Sequence, residues 1–468
     1  MYKSEQLAQH LRRLIENGSW PVHTRLPSLR EQAEISGFSL MTVMNAYQDL
    51  EAQGLIYSKE KSGYFVAENA KTQIPQSAAI VSLNPKIEIN SLVFKYLKSI
   101  QSKDIVPFGS AFPDHHLLTP SKLLQVVSQM ARDQKSYDQT TNLPPGNLAL
   151  RKIIAQRYCM QGIPTDADDI VITSGGLDAL NLSLQALTRP GDYILLQQTT
   201  FYGAWQAAER LGLKVITLPE HAKYGFDLEA FEQVIQHYPI KVCWFMLNAQ
   251  NPIGFTVSDE IKYKIAKLLH EHKIYLIEDD VYEELFYGMH KPLSMKYFDR
   301  GNLVLHCSSF SKTLGAGFRV GWVYAGKYSE QIQHLQLMST ISANALIQNA
   351  LVEFVSSHHY EKHLRLLRRR LEKNKKRFAQ YLKQHLGQCC EIYNFPSGYF
   401  LWIKLPLHIS SLELYQKLII KHISVAPSPL FNVLETNQHY IRLNCSFEWT
   451  SRIQDGLDQF IQSILNFP

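Results

Sequence analysis

LVLHCSSFSKTLGAGFRVGW, residues 303–322, opens on the apolar triplet Leu303-Val304-Leu305, the pattern of a strand buried on both faces. Small polar residues follow, Ser308, Ser309 and Ser311, and with them one lysine, Lys312. A turn carrying Gly315 and Gly317 leads to a single arginine, Arg319, and the chain re-enters an apolar strand from Val320 to Tyr324. A lysine held at a strand end in small, partly desolvated surroundings suits Schiff-base chemistry, because burial and a neighbouring cation lower the amine's pKa. Arg319 and the serines suit a phosphate beside that lysine, since a guanidinium grips phosphate through two parallel hydrogen bonds. The bland counterpart is a surface Ser/Gly loop with incidental charges.

Working outward, apolar strands alternate with amphipathic helices from Val106 onward. Strands are expected at Ile170–Ile172, Tyr193–Leu196, Lys214–Leu218, Val242–Leu247 and Ile274–Ile277, with helices between most of them. This is the pattern of an α/β domain with a mainly parallel sheet, whose ligands sit at the carboxyl ends of its strands. Thr173-Ser174-Gly175-Gly176 delivers Gly175 and Gly176 to a helix N-terminus, where free amides and the helix dipole favour an anion. Phe201 (in TTFYGAWQ), Asn251 (in NAQNPIG), Asp279 and Tyr282 (in EDDVY) and Lys312 follow successive strands. Singly, each has a dull reading: Asp279 as a helix cap, Tyr282 as core, Asn251 as a turn before Pro252. Together they describe a site for pyridoxal 5'-phosphate. Asp279 would hold the pyridine nitrogen protonated, Phe201 would stack on the ring, and Asn251 and Tyr282 would bond the ring hydroxyl oxygen. Lys312 would bind the aldehyde and act as the base, and Gly175, Gly176, Ser309, Ser311 and Arg319 would hold the phosphate.

The first seventy residues are of another kind. Leu7, Leu11, Leu14 and Ile15 share one helical face between Tyr2 and about Glu16, with Gly18 as the stop. Ser28-Leu29-Arg30-Glu31 has capping-box spacing and opens a short second helix that ends near Gly37. Ser39 caps a third helix to about Ala52, with Val43, Ala46, Tyr47 and Leu50 as its buried stripe. Ile56–Ser58 and Tyr64–Val66 read as strands joined by the polar turn Lys59 to Gly63. Two helices on a tight Gly-containing turn, then a hairpin, make a winged helix-turn-helix whose partner is double-stranded DNA. Such docking puts Ser39, Leu40, Thr42, Val43 and Asn45 at base edges, and Arg30, Lys59 and Lys61 at phosphates. A small helical protein-interaction domain is the alternative. The module is close to neutral, so its affinity from counterion release is modest and two heads on one partner would help. Residues 71–90 lack periodicity and read as a linker, followed by a short docking helix from Ser91 to Ser102.

At 468 residues, 45% of them hydrophobic, the chain has ample core for about three folding units. No cationic N-terminal region precedes an apolar core and no long uncharged apolar run occurs, so neither secretion nor membrane spanning is expected. Cysteines 159, 243, 307, 389, 390 and 445 show no metal-ligand spacing and read as buried thiols of a cytoplasmic protein, with no disulfide and no metal. The net charge is +6, and roughly that excess lies between Glu361 and Arg377. Leu364, Leu367, Leu371 and Phe378 recur there at helical spacing, giving one amphipathic helix with a basic outer face. Such a face is ordinarily just solvated; the sharper alternative is an auxiliary DNA-backbone contact.

The N-terminal stretch, with its RLPSLR, resembles the DNA-binding head of GntR-type bacterial regulators, although Val22-His23 stands where that family has Pro-Gly. From about Val106 the order S-G-G, T-F-Y-G-A, N-P-I-G, D-D-V-Y, S-F-S-K, R-V-G-W resembles fold-type I aminotransferases. Thr199 replaces their usual proline and Ala316 departs from their L-x-P-G. Arg442, in YIRLNCSF, falls where that family binds a substrate α-carboxylate. End to end, the chain resembles the MocR group of bacterial transcriptional regulators. The resemblance implies a head at residues 1–68, a linker and docking segment at 69–105, and an aminotransferase-like body at 106–468, its large part about 106–340 and its small part about 341–468. It also implies a homodimer and an amino acid or amine as effector. The leading expectation is a pyridoxal-phosphate-dependent regulator. Its rivals are a working aminotransferase with an accessory DNA-binding head, and a DNA-binding dimer that keeps the cofactor as filler.

Overall fold

Three helices and a hairpin make the N-terminal unit: α1 (Lys3–Glu16), α2 (Leu29–Ser36), α3 (Leu40–Ala52), β1 (Ile56–Lys59) and β2 (Gly63–Val66). The coordinates are a computed structural model, describing residues 3–16, 20, 23–59, 62–67, 82–83, 89–102, 104–118, 120–132, 142–221, 225–432 and 438–468. Two units divide the chain: Met1–Gln73 with Phe286–Lys291, and Ile74–Leu285 with Pro292–Pro468. In the first, Ser28 Oγ accepts the Glu31 amide at 3.3 Å while Glu31 Oε2 accepts the Ser28 amide at 2.7 Å, the reciprocal cap the sequence spacing predicts. Gly37, at φ +69°, ends α2 in the left-handed region that a residue with no Cβ enters freely. Two residues on, Ser39 Oγ accepts the Thr42 amide at 3.2 Å and starts α3. Leu7, Leu11 and Ile15 of α1 meet Val43, Ala46, Tyr47 and Leu50 of α3, with Ile56 and Val66 of the hairpin closing this core.

The second unit is built on an eight-stranded sheet. Its strands are β3 (Ser82–Leu83), β4 (Ile170–Thr173), β5 (Tyr193–Gln197), β6 (Lys214–Leu218), β7 (Ile240–Phe245), β8 (Tyr275–Asp279), β9 (Val304–Ser309) and β10 (Gly321–Tyr324), in the order β3-β6-β5-β7-β8-β9-β10-β4. Strands β6, β5, β7, β8 and β9 are parallel, whereas β10 runs antiparallel to both β9 and β4. Nearly every residue of β4, β5 and β7–β10 is buried, as the Val/Ile/Leu runs require of strands covered on both faces. A smaller antiparallel sheet follows: β11 (Glu391–Tyr393), β12 (Phe400–Lys404), β13 (Ala426–Pro427) and β14 (Tyr440–Asn444), ordered β11-β12-β14-β13. A helix of 29 residues, His358–Leu386, precedes it and buries Leu364, Leu367, Leu371 and Phe378.

Some sequence expectations change. Ser82–Leu83, inside the stretch read as linker, pairs antiparallel with β6, a strand too short to carry a periodicity. Lys375, counted on the basic outer face, is buried, its Nζ donating to the carbonyls of Phe395 and Ser397 at 2.8 Å each. Cys159 and Cys389 are exposed, although all six thiols are free. Among the described residues no helix is long and apolar enough to cross a membrane.

Candidate functional site

The sheet brings the candidate residues to one edge. Strands β4, β5, β7, β8 and β9 all end there, and because β10 runs the other way it begins there. Gly321 is opposite both Ser309 and Thr173, so Arg319, two residues before β10, shares that edge with Ser309 and Gly175. A Cβ on Gly321 would lie 2.6 Å from the Gly175 carbonyl carbon, which is why this crossing takes glycine. Gly175 sits at φ +102°, and a Cβ there would strike the Arg319 guanidinium at 2.5 Å. Arg319 Nη2 in turn donates to the Ser174 carbonyl at 2.6 Å. The helix Gly176–Leu187 begins at this point with no side-chain cap, leaving its first amides directed to the same place.

A cavity of about 200 Å³ opens at this edge, lined by Gly176, Phe201, Asn251, Asp279, Tyr282, Ser309, Ser311, Lys312 and Arg319 among others. Two of the expected residues stand just outside it. Gly175 lies beneath Arg319. Arg442, on β14, lies behind Asn251: its Nη1 donates to Asn251 Oδ1 at 2.7 Å and its Nη2 to the Gly109 carbonyl at 2.5 Å. That guanidinium is fully buried between the rings of Phe400 (4.4 Å) and Phe431 (4.8 Å), and its Nε–H has no acceptor among the described residues.

Residues the sequence did not flag complete the site. Lys312 Nζ donates to the Ala111 carbonyl at 2.8 Å and lies 4.9 Å from the Phe112 ring centre. Tyr399 Oη donates to the same carbonyl at 2.8 Å. Ala111, Phe112, Leu177, Tyr202, Met246 and Val281 supply much of the remaining lining. The segment SAFP that holds Ala111 and Phe112 bears no ionisable side chain, and its contribution is a carbonyl that every residue possesses.

The electrostatics follow from burial. Lys312 is pushed down to about 7 by burial and by the charges of Arg442 and Arg319, with Asp279 opposing. Asp279 is pushed up to about 7, again by burial first and by neighbouring Asp280, and its Oδ1 finds no donor among the described residues. Asp280 points elsewhere, accepting from Asn248 at 3.0 Å and contacting His306 Nε2 at 3.2 Å. His306 Nδ1 meets Tyr158 Oη at 2.6 Å, and Tyr158 takes the Trp322 indole N–H at 3.0 Å, a buried chain that anchors the end of β8.

An acid whose folded pKa is raised keeps a proton that the unfolded chain has lost, so its contribution to stability falls as pH rises from about 3.8 to about 7. Cofactor-free wild type should therefore lose on the order of 4 kcal/mol from Asp279 across that window. Asp279→Asn should flatten this part of the curve while Glu278, also pushed up to about 7 by burial, keeps its own slope. Urea denaturation at several pH values checks it; an unchanged slope in the variant would contradict the assignment.

In the head, Arg30 in the first turn of α2, Ser39 and Leu40 at the start of α3 and Lys59 on β1 are exposed, and Thr42 and Asn45 of α3 are half-buried. Val43, expected at base edges, is wholly buried against the α1 face, as its place in the 43-46-47-50 stripe requires. Lys61 lies outside the described residues. Met41, 62% exposed beside Leu40, is a surface residue of α3 that sequence reasoning passed over.

Comparison with known proteins agrees with both units. Residues 103–451 match the family model described as aminotransferase class I and II, and residues 3–66 match bacterial regulatory proteins, gntR family. The chain is 45% identical over 460 residues to the uncharacterized HTH-type transcriptional regulator YdcR of Escherichia coli (strain K12), covering 98% of each. Among solved structures it is similar to an archaeal alanine:glyoxylate aminotransferase, with TM-score 0.75, 23% identity, and coverage of 81% of this chain and 96% of that one. It is likewise similar to LysN, the α-aminoadipate aminotransferase of Thermus thermophilus complexed with N-(5'-phosphopyridoxyl)-L-leucine (TM-score 0.72, 21% identity, 81% of this chain and 98% of that one). The chain therefore belongs to the HTH-type transcriptional regulators of the MocR type, in which a gntR-family head and an aminotransferase class I and II body share one polypeptide.

Proposed function

We propose that this regulator binds pyridoxal 5'-phosphate in the body and senses an amino acid or amine there, passing the result to the DNA-binding head. The observation that carries the proposal is that one cavity is lined both by an amine pushed down to about 7 and by a buried carboxylate oxygen that finds no donor among the described residues. The residues fit the cofactor. Asp279 Oδ1 is an acceptor awaiting a cationic N–H, Phe201 offers a ring face, and Tyr282 and Asn251 offer polar atoms beside it. Gly175 lets the Arg319 guanidinium pack close over an uncapped helix start at Gly176, with Ser309 and Ser311 lining the same cavity, an arrangement that suits an anion. When bound, the cofactor supplies an aldehyde that captures amines and a protonated ring that withdraws electrons. The chain's own residues do the rest. Lys312 holds or gives up one proton near neutrality, Asp279 stabilises positive charge in the cavity, and Arg442 offers a carboxylate the Nε–H that has no acceptor among the described residues. The fold neighbour complexed with a phosphopyridoxyl-leucine supports a site that takes cofactor and amino acid together.

Regulation then follows from linkage. A ligand that binds two conformations of the body unequally changes the DNA affinity of the head by the same factor that DNA changes its own binding. We place the head at residues 1–68, the linker and docking segment at 69–105 and the body at 106–468, in a cytoplasmic homodimer. The second reading, a working aminotransferase with an accessory head, is favoured by one observation: Lys312, Asp279, Tyr282 and Arg442 are all present. Borohydride reduction of the cofactor-loaded protein, followed by peptide mass spectrometry, tests the shared premise. A pyridoxyl adduct is expected on Lys312; an unlabelled Lys312 would overturn it. Formation of a new amino acid from an added keto acid would favour the enzyme over the sensor.

A further inference from the structure

The chain's charge is not where its DNA-binding head is. Residues 1–68 carry seven Lys/Arg against eight Asp/Glu, a net −1, while the whole chain carries +6. Residues 361–377 alone hold nine Lys/Arg against two Glu, a net +7, so what remains of the chain is close to neutral. Duplex DNA binds largely through phosphate neutralisation and counterion release, which a head of net −1 supplies poorly. We propose that the outer face of the helix His358–Leu386 is a second DNA contact, gripping backbone phosphates of the duplex that the head binds, outside the head's own segment. This rests on the regulatory reading above and extends it to the aminotransferase-like body.

Structure and spacing support that face as a phosphate track. The helix turns Leu364, Leu367, Leu371 and Phe378 inward and leaves Lys362, Arg365, Arg369, Arg370 and Lys373 exposed. None of these five forms an ion pair with a described residue. The segment's two acids are engaged elsewhere: Glu361 accepts from Arg157 at 2.6 Å and Glu372 from Lys376 at 2.8 Å. At about 100° per residue the five cations fall within an arc of roughly 140°, and at about 1.5 Å per residue they run some 17 Å along the helix. Duplex DNA presents about ten phosphate charges over that length. Arg365, Arg369 and Lys373 repeat at four-residue intervals, a like-charge spacing that destabilises an isolated helix and is relieved by a polyanion. The head makes duplex DNA the polyanion already tethered to the chain, at high effective concentration.

The test uses full-length, cofactor-loaded protein and a duplex selected by that protein from a random pool. It is used both trimmed to the protected segment and extended on both sides. Affinity is measured across a salt series. Lys362→Gln, Arg365→Gln, Arg369→Gln, Arg370→Gln and Lys373→Gln together should weaken binding of the extended duplex by tenfold or more and reduce its salt slope by about 2 to 4. The trimmed duplex should be much less affected. A variant with Arg365→Lys, Arg369→Lys and Arg370→Lys should keep the wild-type slope, since a lysine neutralises a phosphate as an arginine does. Equal slope and affinity of the glutamine variant on the extended duplex would overturn the contact while leaving the regulator reading intact. So would a change in sedimentation alone, which would mark a protein–protein face, or a stronger effect on single-stranded RNA than on the duplex. If wild type selects no duplex at all, the regulator reading and this contact both fail.

Discussion

Lys312→Ala should give a folded protein that still binds its operator and no longer answers to any amino compound. In wild type, an effector coupling of the usual size, about 1–3 kcal/mol, changes DNA affinity about 5- to 150-fold. The variant should show no change, because the amine that we propose anchors the aldehyde and exchanges with the effector is gone. Folding should survive. Lys312 is disfavoured in its charged form by burial and by Arg442 and Arg319, and the Ala111 carbonyl it releases keeps the Tyr399 hydroxyl at 2.8 Å. No buried acceptor is left bare, which is the usual cause of a large stability loss when a polar residue is removed. Equilibrium DNA titrations with and without an amino acid panel measure the effect; a variant that responds as wild type does would show that the Lys312 amine has no part in sensing.

Arg442→Lys should separate amino acids from simple amines. Arg442 is held by Asn251 and Gly109 on two of its nitrogens and flanked by Phe400 and Phe431, so its orientation is fixed and its Nε–H is the donor left over. Lysine keeps the charge and loses the planar fork that matches a carboxylate. Charge-assisted hydrogen bonds are worth about 1.5–3 kcal/mol, so affinity for amino acids should fall about 10- to 150-fold. Amines of the same side chain without a carboxylate should bind nearly as before. Visible absorbance titrations with matched pairs give both numbers. Equal losses for the two ligands would remove Arg442 from carboxylate recognition and leave it a packing residue.

The cavity was legible in the sequence because each of its residues follows an apolar run: Phe201 after β5, Asn251 after β7, Asp279 at the end of β8 and Lys312 after β9. Strand order was not legible, and the reversal of β10, which carries Arg319 to the same edge, comes from tertiary pairing that no local pattern encodes. Arg442 was found only by resemblance, since a lone arginine in an alternating strand says nothing of Asn251, 191 positions away along the chain. The carbonyls of Ala111 and Gly109 had no signal at all. Two errors were avoidable. Val43 and Lys375 both sit on the apolar stripes of their helices, 43-46-47-50 and 364-367-371-375-378, and the stripe predicted burial better than the residue type did. Lys375 tolerates this because two carbonyls receive its protons and burial pushes its pKa down to about 7.

The claim on which all of this depends is that occupancy of the Lys312 site alters DNA binding. The direct measurement is the affinity of cofactor-loaded, full-length protein for its selected duplex, with absorbance recorded in the same cuvette as an amino compound is added. A shift in absorbance accompanied by a change in affinity of about fivefold or more is the predicted result. Absorbance that reports a filled site while DNA affinity stays constant would contradict it.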